Sequence, residues 1–157
     1  MAFGRNIVAK FLCVVVLVLG AGTAVAVDDA EEKAVLSTFI GEVDSIISFA
    51  KDSAKDIPGF SVNSFVNEMN VIRHSIEEFI DTGHADQSGI GEIHGEYGSH
   101  LGKQRVFTSL YEKVLLLDEH VHAAKANADP SHHVEYEILE IELDIVEVGL
   151  EGVMRGG

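Results

Sequence analysis

From about Asp29 to Met154, apolar residues return every three or four positions, in four long runs separated by turn-forming residues. An α-helix turns once in ~3.6 residues, so this spacing gathers apolar side chains on one helical face. Few other arrangements can bury four such faces at once. The pattern therefore constrains the fold more than composition does.

The first run spans about Asp29 to Ala54, with Leu36, Phe39, Ile40, Val43, Ile46, Ile47 and Ala50 on its stripe. Acids stand at its start and Lys51 and Lys55 near its end, the order the helix dipole favours. Ile57-Pro58-Gly59-Phe60 breaks it. The second run, about Ser61 to Thr82, carries Phe65, Met69, Ile72, Ile76 and Phe79. Ser61 or Ser64 can cap its start and Gly83 its end. The third, about Lys103 to Asn127, carries Phe107, Leu110, Val114, Leu117, Val121 and Ala124. A turn through Pro130 follows, and Ser131 can cap what comes next.

The fourth run, about His132 to Met154, reads two ways. Val134, Ile138, Ile141, Ile145 and Val148 form a helical stripe, while Leu139, Ile141, Leu143 and Ile145 alternate with acids as a strand would. Length and context favour a helix, since a lone strand has nowhere to pair. The expected fold is all-α, an up-down-up-down four-helix bundle, with the fourth segment the one that could depart from helix. Its acids (Glu135, Glu137, Glu140, Glu142, Asp144, Glu147 and Glu151) are expected to form a solvated face.

Residues 84 to about 101 hold Gly89, Gly91, Gly95 and Gly98, with no helical period. This is expected to be a long exposed loop. In an up-down-up-down bundle it lies at the end opposite the turn near Pro130.

The first 26 residues form a separate unit. Arg5 and Lys10 precede an uncharged stretch from Phe11 to Leu19, and small residues end in Ala24-Val25-Ala26. These are the three parts of a cleavable secretory signal. The apolar stretch is shorter than the ~20 residues a membrane-spanning helix needs. The expected organisation is a signal peptide over 1–26 and one helical domain over 27–157. The destination is secreted and extracellular, or periplasmic in a bacterium. The chain's one cysteine, Cys13, falls within the signal, so a core rather than disulfides must hold the domain.

Residues 27–157 carry 9 basic and 26 acidic residues, a formal charge of −17. Such a surface repels phosphates and anionic headgroups, which excludes nucleic acid as a partner. No stable membrane span is expected after signal cleavage.

Eight histidines remain in the domain. His120 and His122 end the third run, and His132 and His133 begin the fourth, beside Glu119 and Glu135. Antiparallel packing would gather all six near one turn. Imidazole with carboxylate suits zinc or copper. Neighbours two apart on a helix point ~200° apart, so His120 and His122 cannot share one ion. His84, His94 and His100, with Glu92 and Glu96, form a looser second group.

Catalytic patterns fail. Glu119 to His122 is a Glu-x-x-His step, but a di-iron bundle needs two. Gly102-Lys103 lacks the first glycine and the Ser/Thr of a phosphate-binding loop. Neither Gly-x-Ser-x-Gly nor His-Glu-x-x-His occurs. The expected function is a non-catalytic binding role, toward a protein partner or a small apolar ligand enclosed by Phe65, Met69, Phe79 and Phe107. The alternative is a divalent-metal protein using the six residues at the turn. No cofactor is expected beyond that zinc or copper.

Overall fold

The computed structural model describes Val27 and residues 29–156; the expected signal peptide lies outside the described residues. Four long helices carry the chain: α1 (Ala30–Ser53), α2 (Val62–Thr82), α3 (Arg105–Asn127) and α4 (His133–Met154). The fourth segment is helical throughout. Among the described residues there is no strand.

Local chemistry sets the ends. The Asp29 carboxylate accepts from the backbone N–H groups of Glu31 and Glu32 and starts α1. Ser61 caps α2, and Gly83 ends it in the left-handed conformation at φ 79°, which glycine adopts without a Cβ clash. The turn before α4 is held by Asp129, whose side chain accepts from Ser131 N–H; Ser131 is not itself the cap.

α1 packs on α2 and α3, and α4 packs on the same two, so α1 and α4 lie across a diagonal. The short α1–α2 and α3–α4 connections make each pair antiparallel. The α2–α3 connection does something else. It leaves α2 beside the start of α4, where Ala85 N–H donates to Glu135 at 2.6 Å. It ends beside the far end of α4, where Leu101 N–H donates to Val153 O at 2.8 Å. On the way, Tyr97 O accepts from Ser61 N–H at the start of α2. The segment thus crosses the whole bundle along the α2–α4 seam, and α3 starts at the same end as α2. The order is not up-down-up-down; the long α2–α3 connection is a crossover rather than a loop at one end of the bundle.

This strap is no loose loop. It contains a 3₁₀ helix, Gln87–Glu92, and buries Ala85, Gly89, Ile93 and Tyr97. The side chains of Phe60, Phe65, Tyr97 and Phe107 meet with ring centroids 5.0 to 6.4 Å apart. The core fills the space between the helices. Phe65, Met69, Phe79 and Phe107, the residues expected around an enclosed ligand, are all 0% exposed and belong to one continuous apolar cluster.

The α4 core face differs from its expected stripe. Tyr136, Leu139, Leu143, Val146, Leu150 and Val153 point inward at 0% exposure, whereas Val134, Ile141 and Val148 face solvent. Nor are its acids a solvated face: Glu135, Glu142 and Glu147 are buried.

Candidate functional site

Two buried carboxylates fasten the strap, and a third lies beneath it. Glu68 Oε1 accepts from His94 N–H, Gly95 N–H and the Tyr97 hydroxyl at 2.8 to 3.1 Å. Glu135 accepts from Ala85 N–H and pairs with His84 Nδ1 at 3.1 Å. Glu142 accepts from Ser75 Oγ at 3.0 Å, directly under Gly89. Its other oxygen is buried without a partner. Burial lifts the Glu142 carboxyl to about 8 against the Ser75 bond, and Asp86 and Glu92 on the strap push the same way as burial. The group is thus held as a neutral acid at pH 7.

The turn histidines are each engaged elsewhere. His120 Nδ1 lies 2.6 Å from Glu42 Oε1 on α1, and this bond raises its pKa against the effect of burial. His122 Nδ1 lies 3.1 Å from Glu140 Oε1. His132 is buried, with Nδ1 at 3.0 Å from Glu32 Oε1 and its ring edge-on to Phe79. The same Glu32 oxygen accepts from the Tyr136 hydroxyl at 2.8 Å. His133 Nε2 is 3.2 Å from Ala128 O. Glu135 is committed to the strap, and Glu119 lines an α3–α4 cleft with His122. Of the six residues from which an ion's ligands were expected, the four histidines and Glu135 are thus each held by a different partner around the turn, and Glu119 lines the cleft. His84 joins this end of the bundle rather than the opposite one.

Carboxylates converge instead between α3 and α4. Asp118, Asp144 and Glu147 each place an oxygen within 4.8 Å of the others, the one such group of three metal-binding side chains among the described residues. Burial raises both Asp118 and Glu147 above the ordinary carboxylate range; their shared hydrogen bond lowers Asp118 and raises Glu147, and repulsion from Asp144 raises both. Glu147, the more strongly raised of the two, thereby holds a proton that offsets part of the trio's charge.

The outer face of α4 is the other unusual feature. Its exposed residues are Val134, Glu137, Ile141, Asp144, Val148 and Glu151. They repeat every seven residues, a β-branched apolar residue first and an acid three places later. Val134, Ile141 and Val148 are 53%, 45% and 59% exposed, three of the four large apolar side chains so exposed among the described residues. A cleft of about 580 Å³ runs along the strap side of this ridge, floored by Ile145, Gly149 and Gly152. A cleft of about 380 Å³ on the α3 side holds Asp118, Glu119, His122 and Glu140, and Asp144 borders both. The seven-residue recurrence of Val, Ile and Val is visible in the sequence, where it coincides with the period of a core-facing stripe.

The chain matches no known protein family, no curated protein and no solved structure.

Proposed function

We propose that this is an exported, non-catalytic binding protein whose docking surface is the outer face of α4. The observation that carries the reading is the exposed row Val134, Ile141 and Val148 on a helix whose opposite face is already fully engaged in the core. Apolar side chains in a row, rimmed by polar groups and flanked by clefts, favour a partner that covers them. The filled core supports a protein partner over an enclosed apolar ligand. Among the described residues no helix is long and apolar enough to cross a membrane. Export rests on the signal-like pattern of residues 1–26.

The metal alternative is the weaker reading because the turn histidines sit with different partners, His120 with Glu42, His122 with Glu140 and His132 with Glu32, and His133 Nε2 is taken by Ala128 O.

Replacing Val134, Ile141 and Val148 together with serine tests the proposal. These exposed positions should change stability by only about 0.5 kcal/mol each. Proteins from the producing organism's surroundings should be retained by the unchanged chain and lost by the triple variant. Equal retention by both, or by neither, overturns the reading.

A further inference from the structure

We infer that the partner presents a basic amphipathic helix to the outer face of α4, apolar where it meets Val134, Ile141 and Val148 and cationic where it meets Glu137, Asp144 and Glu151. The inference rests on the docking reading above and deepens it by naming the partner's chemistry.

The seven-residue repeat sets the geometry of the face. Side chains recurring at alternating steps of three and four form the seam along which a second helix packs. The row from Val134 to Val148 covers ~21 Å at the ~1.5 Å rise of a helix. That is enough for about four turns of a partner. In an ordinary helical seam both positions of the repeat are apolar. Here every second position is an exposed acid: Glu137, Asp144 and Glu151. The seam is therefore apolar and anionic in strict alternation.

The alternation selects among occupants. A second copy fits badly in either direction. Parallel pairing would set acid against acid along the seam. Antiparallel pairing would set Glu137, Asp144 and Glu151 against the apolar row of the other copy, burying unpaired carboxylates. The chain's formal charge of −15 adds long-range repulsion between copies. An anionic lipid surface meets the same acids and is repelled. Lysine or arginine at alternate seam positions matches the row, with an apolar stem lying beside the valines and its charged head on a carboxylate.

The flanks agree with this assignment. Glu140 and Glu119 border the α3-side cleft and Glu96 borders the strap-side cleft. Lys125, a basic side chain beside this face, pairs with Glu140 at 3.2 Å and reaches Glu137 at 3.9 Å, so a partner's lysine at Glu137 shares that carboxylate with it. The acids on both sides of the ridge thus favour a cationic rim on whatever lies there, the mode by which amphipathic target helices sit in acidic grooves.

Three synthetic 21-residue peptides test this by calorimetric titration against the protein. The first has isoleucine and lysine alternating at the seam positions. The second replaces those lysines with glutamate. The third holds the composition of the first in scrambled order. The lysine peptide should bind at least tenfold more tightly than either of the others, consistent with three exposed ion pairs each contributing modestly. Its advantage over the glutamate peptide should shrink between 50 mM and 500 mM salt. The variant Glu137→Lys with Glu151→Lys should reverse the preference toward the glutamate peptide. Equal binding of lysine and glutamate peptides, both lost in Ile141→Ser, would overturn the basic partner while leaving the docking face intact. Equal binding of the scrambled peptide would reduce the attraction to bulk charge and overturn the inference. No binding of any peptide overturns it too, and the serine triple variant then judges the docking face separately.

Discussion

Glu142 is a carboxyl that the fold keeps protonated, and this reverses the usual effect of pH on it. Its folded pKa is raised to about 8 by burial, above its unfolded value of 4.5. A raised carboxyl contributes stability that is complete below the unfolded pKa and is lost as pH rises through the folded one. Glu142→Gln supplies a permanently neutral side chain of the same shape. It should therefore change little at pH 5 and raise stability at pH 9, by on the order of 1–3 kcal/mol. Thermal melts of both proteins at the two pH values check this; a variant equally destabilised at both would refute it. The Glu32 site behaves differently. Tyr136→Phe removes one of two donors to the buried Glu32 Oε1, leaving His132. Urea titration should show a loss of about 1–3 kcal/mol. None of this was legible in the sequence. Glutamates in so acidic a segment look alike, and the hydroxyl that Glu142 bonds, Ser75, is 67 residues away.

At the scale of elements, the sequence was readable where one face of a helix does one job. The stripes of α1, α2 and α3 match their buried residues, and all four helix limits lie within two residues of those expected. α4 has two apolar faces. Leu139, Leu143, Val146 and Leu150 face the core while Val134, Ile141 and Val148 face outward. Superposed on one helix, the two rows imitate the alternation of a strand, and the outward row passes for the core. The direction of α3 was hidden for another reason. Glycine spacing marks a segment as non-helical but carries no information on where it travels. The strap's course depends on close approaches, among them the one at α4: a Cβ on Gly149 would stand 2.5 Å from Gly95 O and 2.7 Å from Tyr97 Cε2. Gly149→Ala should therefore lift the strap, cost about 1–3 kcal/mol and speed amide exchange over residues 93–101. Gly41→Ala, on α1 with nothing near its Cβ, should instead stabilise by about 0.5–1 kcal/mol.

For the molecule as a whole, the raised groups act in concert. Glu142, Asp118 and Glu147 all favour their protonated forms, and the raised His120 likewise contributes stability that is lost as pH rises. Asp86 and Asp129 oppose them, but both are held low by bonds at turns rather than in the core. Asp144 links this protonation to the docking face, because it belongs both to the carboxylate trio and to the exposed row. A lysine placed beside Asp144 would favour the ionised forms of its neighbours Asp118 and Glu147 and lower their raised pKa values. Binding a basic helix should then release protons, and by linkage its affinity should rise with pH from about 6 to about 9, the range over which these groups titrate. Calorimetry of the lysine peptide in two buffers of different ionisation enthalpy measures the released protons directly. Asp118→Asn with Glu147→Gln removes both titrating groups and should abolish the release while leaving the apolar row in place. Proton uptake instead, or release unchanged in that double variant, would show that the trio and the docking face are independent.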